Sequence, residues 1–195
     1  MASEEAHVIT ALIEVCRQQN VKTLIQIGAE DGYEGDCIRQ ALGCRVVCIE
    51  PDPKCGPCSH LIEWHEVVIG ENNDMTKFYL NAAKGLSSKV PRADSLEILA
   101  VMPQVRLDKF CRTHAIKPDA LIIDVEGSTL DVLEGAGSLL EFVNLIYCEV
   151  SHDKTRGDRA DADAVDAYLT ERGFRRSMEP PSYCCGGQSN WLFLR

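Results

Sequence analysis

The sequence predicts an α/β fold, a three-layer sandwich in which helices cover both faces of a mostly parallel sheet, with a short antiparallel pair near its end. Three observations predict it. Short apolar runs that stop at glycine, proline or an acidic residue alternate with stretches of helical periodicity. The first strand–helix–strand unit, Thr23 to Glu50, has the length of a parallel crossover. The runs are nearly continuous in Val, Ile and Leu, as strands covered on both faces must be.

The elements follow in order. A helix is expected over about Glu4–Gln19, where Val8, Leu12, Val15 and Cys16 recur at spacings of three and four. The run Thr23–Ile27 is too short for a helix and ends at Gly28, so it reads as a buried strand. A helix over Gly35–Leu42 and a strand over Arg45–Glu50 follow, and Pro51 and Pro53 forbid continuation. A helix over Pro53–Ile62 leads to a strand over Glu66–Ile69. Beyond the polar turn Gly70–Asp74, a strand is expected over Thr76–Leu80, and the stretch through Gly85, Pro91 and Pro103 reads as a long loop. Asp108 caps a helix to about Ala115, and Pro118-Asp119 turns the chain into the apolar run Ala120–Val125. Then come a helix over Thr129–Leu140, a strand over Asn144–Val150 and an acidic helix over Ala160–Arg172 that Gly173 stops. Strands near Phe174–Ser177 and Asn190–Leu194 form the antiparallel pair.

Composition narrows the function. With 195 residues, 45% of them apolar and 26% charged, the chain is expected to fold as one domain over 1–195, and disordered or repetitive classes are excluded. A net charge of −10 disfavours phosphate backbones and anionic membranes. The compact arginine groups, Arg156 and Arg159 or Arg172, Arg175 and Arg176, are diluted by acids. No basic segment followed by an apolar one opens the chain, and no run of about 18 apolar residues occurs, so a cytoplasmic protein without a membrane span is expected. Ten cysteines are too few for a disulfide scaffold and mostly fall in apolar patterns, where they pack as small hydrophobes.

In a parallel sheet, ligands bind beyond the carboxyl ends of the strands, near the point where strand order reverses. Gly28 to Gly32, Glu50, Ile69, Asp124 to Gly127 and Glu149 to His152 occupy those ends. Gly28, Ala29, Glu30 and Gly32 form a turn of the kind that lets backbone approach a ligand. Glu50, followed by Pro51, lies twenty-two residues after Gly28, where a carboxylate accepts both hydroxyls of a ribose. The turn is G-x-x-x-G and lacks the middle glycine that a pyrophosphate needs, so a ribonucleoside cofactor without one is indicated. A turn glycine and a helix-capping acid are the plain alternative.

The stretches IQIGAEDGYEGD, VVCIEPDP, GLSS, VRLDKF, LIIDVEGSTLDVLEGA and LIYCEVSH, spread over Thr23 to Val150 and just beyond, resemble the FkbM family of S-adenosylmethionine-dependent methyltransferases. The resemblance implies a seven-stranded, Rossmann-like class I methyltransferase sheet with S-adenosylmethionine as cofactor. Gly28 to Gly32 would face its methionine part, Glu50 its ribose, and backbone near Val68 or Ile69 its adenine. Two positions depart from the family: Gln26 stands where an acid is common, and Ser128-Thr129 where a small residue and Glu often follow the DVEG segment.

Methyl transfer needs aligned partners and, for a hydroxyl acceptor, a base. Asp124, Glu126, Glu149 and His152 lie at adjacent strand ends, and His152 has the unperturbed pKa that suits neutrality. A solvated loop histidine and a helix-terminal acid are the plain readings of His152 and Glu126. No ligand spacing demands a metal. The acceptor is expected to be a small molecule bearing a hydroxyl or carboxyl group, with a polyhydroxyl favoured and Glu71–Pro103 shaping its pocket through Lys77, Tyr79, Lys84, Lys89 and Arg92.

Two other classes compete. Cys55-Gly56-Pro57-Cys58 matches the redox motif of thioredoxin, where a helix N-terminus activates the thiol. A zinc site joining Cys55 and Cys58 to His60, His65 or Cys184-Cys185 would span too many strands for the last pair. A non-catalytic module that only binds the cofactor would show the same sheet.

Overall fold

The computed structural model describes residues 2–82, 85–91, 97–152, 160–177, 184–185 and 187–195. Lys84, Arg92, Arg156 and Arg159, named above, lie outside them.

The strands of the first half are β1 (Thr23–Ile27), β2 (Arg45–Ile49), β3 (Glu63–His65), β4 (Val68–Ile69), β5 (Met75–Asn81) and β6 (Glu97–Val105). Those of the second are β7 (Ala120–Ile123), β8 (Leu145–Ser151), β9 (Arg175–Ser177), β10 (Cys184–Cys185) and β11 (Gln188–Leu194). The helices are α1 (Ala2–Gln18), α2 (Tyr33–Leu42), α3 (Leu107–Thr113), α4 (Thr129–Ala136) and α5 (Ala162–Thr170).

The main sheet runs β3-β2-β1-β7-β8-β11-β9, seven strands as expected, with the two-residue β10 beside the start of β11. Pairings from β3 through β8 are parallel, and β11 is antiparallel to β8 and β9. Successive connections leave β1 toward β2 on one side and toward β7 on the other, so the order reverses between β1 and β7.

Alternation along each strand builds the two halves of the core. Ile25, Ile27, Val47, Ile49, Leu121, Ile123 and Ile146 pack on one face with α3, α4 and α5. Leu24, Val46, Cys48, Ile122 and Leu145 pack on the other with α1 and α2. Each fully buried leucine or isoleucine adds about 1.5–3 kcal/mol over an exposed one, so both layers are held mainly by apolar burial. The eight cysteines from Cys16 to Cys148 are free, and burial raises Cys16, Cys48 and Cys111 to about 12, as packing thiols should be. Trp64 and Trp191 pack at the margins of the two halves.

Five expectations are corrected. Asp108 lies within the first turn of α3, whose N-cap position is Arg106, and does not cap it. Residues 53–62 form turns, because Pro53, Gly56 and Pro57 break the pattern within five positions. Of the strand expected over Glu66–Ile69 only β4 forms, which pairs with β6 outside the main sheet, and the strand that pairs with β2 is β3, just before it. Within the expected loop, residues 97–105 form β6, a full antiparallel partner of β5. Pro103 is tolerated there near the end of a strand rich in β-branched residues. The last helix turn expected before Leu140 is a 3-10 turn, Gly137–Phe142, that follows α4. Among the described residues no helix is long and apolar enough to cross a membrane.

Candidate functional site

Where strand order reverses, a cavity of about 240 Å³ opens beyond the carboxyl ends of β1, β2 and β7. Gly28, Ala29, Glu30, Glu50, Pro51, Ile69, Asp124 and Glu126, all expected at the site, line it. Gly32 and His152 do not.

The turn after β1 is set by backbone geometry. Gly28 has φ +75, and a Cβ there would stand 1.6 Å from the Asp124 carbonyl oxygen, so glycine lets β1 and β7 end side by side. Gly32 has φ +76 and faces Cys48 and Ile62, away from the cavity, where it admits α2 against β2. Glu30 and Glu126 adopt φ 52 without being glycine, and both line the cavity. Strained backbone of this kind gathers at functional sites.

Glu50 is 6% exposed and turns inward. Its Oε2 accepts the Glu30 N–H at 3.0 Å, and its Oε1 accepts the Asp52 N–H at 2.9 Å. Burial raises its pKa against the pull of these two donors. Gln26 receives the Gly35 N–H on Oε1 at 3.0 Å and donates from Nε2 to Glu34 at 3.0 Å. That contact holds Glu34 at the cavity beside Gln26.

At the other end, carboxylate oxygens of Asp124, Glu126 and Glu149 lie within 4.8 Å of one another. Asp124 opens to the cavity while protein surrounds its other sides. This poor solvation, and then Glu149 and Glu126, hold its pKa well above the usual carboxylate range. Three oxygens so close could hold a hard divalent ion, or share a proton. Ser128 lines the cavity, whereas Thr129 is buried and donates to the Glu149 carbonyl at 2.8 Å. His152 sits at the end of β8, with Nε2 2.7 Å from Ser189 Oγ and its ring 5.7 Å from Trp191.

Several lining residues escape a reading of strand ends alone. Phe78, Ser87 and Lys89 enter from the segment assigned to the acceptor, Asp52 from the turn after β2 and Tyr33 from the start of α2. The GLSS stretch is the signal for Ser87, and the acid two residues after Glu50 is the signal for Asp52.

The rival thiol site lacks its activating feature. No helix starts at Cys55 or Cys58, and burial raises both thiols, the reverse of what a redox helix does. Zinc shared with Cys184-Cys185 is excluded by order, since β10 and β2 are separated by β11, β8, β7 and β1.

Comparison with known proteins places this geometry. The family model described as the methyltransferase FkbM domain matches residues 26–176. No curated protein sequence matches the chain. Among solved structures, the magnesium protoporphyrin IX methyltransferase ChlM from Synechocystis PCC 6803, with bound S-adenosylmethionine, is similar at 10% identity and a TM-score of 0.54, over 96% of this chain and 77% of that one. The O-methyltransferase TomG from Streptomyces achromogenes, involved in tomaymycin synthesis and also in complex with S-adenosylmethionine, is similar at 15% identity and a TM-score of 0.52, over 94% and 77%. The fold is that of class I methyltransferases.

Proposed function

The chain belongs to the FkbM methyltransferase family, and from that premise we propose that its cavity seats S-adenosylmethionine and serves methyl transfer to a hydroxyl oxygen of a small, polyhydroxyl acceptor. S-adenosylmethionine is the methyl donor of this enzyme, as it is the bound ligand of both structural relatives. When bound, it supplies an electrophilic methyl group on a sulfonium sulfur.

The observation that carries the reading is Glu50. A buried carboxylate held by one backbone donor on each oxygen keeps further acceptor positions for two hydroxyls, the pattern of a ribose diol. Gly28 and Ala29 leave the turn clear of side-chain bulk, and Val68, Ile69 and Phe78 offer an apolar wall suited to an adenine. Glu34, oriented by Gln26, provides the carboxylate for an ammonium that position 26 itself no longer offers.

Asp124 and Glu126 take the acceptor proton. The Asp124 carboxylate, its pKa raised by poor solvation and like charge, is a stronger base near neutrality than an ordinary one. His152, bonded to Ser189 off the cavity wall, is left a supporting place at the edge. The carboxylate trio also favours a second reading, a divalent ion that polarises the acceptor hydroxyl.

Calorimetry with S-adenosylmethionine tests the assignment. Wild-type binding, weakened about 100-fold in Glu50→Ala through loss of two charge-assisted hydrogen bonds, is the expected result. No binding by the wild type overturns it. Labelled donor with a metabolite extract identifies the acceptor, and turnover that survives a chelator rejects the metal reading.

A further inference from the structure

We infer that the segment Gly85–Lys89 is a positioning strap that couples the cofactor end of the cavity to the acceptor end, with Ser87 and Lys89 as its two working residues. The inference rests on the cavity being the S-adenosylmethionine site proposed above.

The segment touches the cofactor turns twice. Gly85, at φ +72, lies so close to Glu30 that a Cβ would stand 3.0 Å from its Oε2. Ser87 donates from Oγ to Asp52 Oδ2 at 2.5 Å and accepts the Asn81 N–H at 2.9 Å on the same oxygen. Both contacts bear on Glu50, because Glu30 and Asp52 supply the two N–H groups that hold its carboxylate. Asp52 is 1% exposed, so the Ser87 hydroxyl meets a carboxylate that water scarcely reaches.

Two residues on, the strap reaches the other end. Lys89 Nζ lies 2.6 Å from Asp131 Oδ2 and 2.8 Å from Glu71 Oε2. Asp131 stands in the first turn of α4, three residues after Ser128 and just beyond the turn that carries Asp124 and Glu126. Between the anchors, Ser88 exchanges backbone hydrogen bonds with Tyr79 at 2.8 and 3.1 Å, which fixes the strap to β5. Ser87 and Lys89 both line the cavity.

A five-residue segment tied at both ends transmits displacement. Whatever seats Glu30, Glu50 and Asp52 more firmly holds Ser87, and through it sets Lys89 against Asp131. By reciprocity, loosening Lys89 lowers affinity for the cofactor through Ser87 and the turns that hold Glu50. An ion pair that only stabilised the fold would leave that affinity alone in a folded variant.

The test is a double-mutant cycle read by calorimetry with S-adenosylmethionine, together with hydrogen exchange of the full chain. Ser87→Ala is one arm. The other is the pair Lys89→Met with Asp131→Leu, chosen so that no buried charge is left bare. Each arm is expected to weaken binding about 10-fold, with the combined variant near 10-fold rather than about 100-fold, since one strap is already slack. Lys89→Arg should retain most of the affinity, and cofactor should slow exchange of residues 85–91 in the wild type but not in Ser87→Ala. Should the pair variant misfold, Lys89→Arg and Ser87→Ala decide through exchange alone. Wild-type affinity in the Lys89 arm, or additive losses, overturns the strap while leaving the cofactor site intact. Failure of the wild type to bind overturns the site and the strap together.

Discussion

Asp124 shows what the site costs the fold. Its carboxyl has a raised pKa in the folded protein, with poor solvation the first cause and Glu149 and Glu126 next. Such a group destabilises nothing below its unfolded pKa and withdraws stability as pH rises through the folded one. Asp124→Asn is therefore expected to raise the melting temperature at pH 8 and to abolish methyl transfer. Water in the cavity screens part of the repulsion, which limits the gain to about 1 kcal/mol, or roughly 2–4 °C in a scan. An unchanged melting temperature would mean that the trio shares its charge with a bound ion. Glu34 makes a second prediction at this scale. Glu34→Gln keeps the bond from Gln26 possible but removes the charge, so S-adenosylmethionine affinity should drop about 10-fold while Glu50-dependent binding persists. The same residue marks a limit of sequence reading, since only the Gln26 side chain, bonded to both Gly35 and Glu34, places the Glu34 carboxylate beside the cavity.

At the scale of elements, glycine decides how closely α4 approaches the site. A Cβ at Gly135 would stand 2.1 Å from the Gly70 carbonyl oxygen, on backbone that cannot swing aside. Gly135→Ala should therefore cost about 1–3 kcal/mol in chemical denaturation and shift the first turn of α4, weakening activity as well. Helices and parallel strands of the sheet are legible from periodicity because each buries one repeating face, as Leu24, Val46 and Ile122 do against α1 and α2. The hairpin of β5 and β6 escapes that logic. Ile98, Leu99 and Val101 remain exposed, so no buried face writes an alternating pattern, and Pro103 argues locally for a loop. The turns over 53–62 fail for the converse reason: Ile62 and the spacing before it imitate a helix face that Pro53, Gly56 and Pro57 cannot build.

For the whole molecule, charge is the property that reaches farthest. The chain carries −10, and among the described residues the cavity is lined by seven acids and one lysine. S-adenosylmethionine bears a net positive charge that its demethylated product lacks. Association of the donor should slow severalfold between about 0.05 and 0.5 M salt, and that of the product much less, as stopped-flow binding would show. Equal salt dependence would mean that the field does not steer. The general place of the site is legible from sequence, because a carboxylate after one strand and glycines after another mark the reversal of strand order. Lys89 and Asp131, forty-two residues apart, meet only through the path of the intervening chain, and no local spacing announces them. That path has one more effect, at the far side of the sheet. Because β11 is wedged between β8 and β9, the outer edge of β8 keeps its backbone N–H and C=O groups unpaired on the ribosome until residues 188–194 emerge. The strands around the cavity are synthesised earlier, so a stalled nascent chain would carry a half-built pocket beside a seam that chaperones must shield.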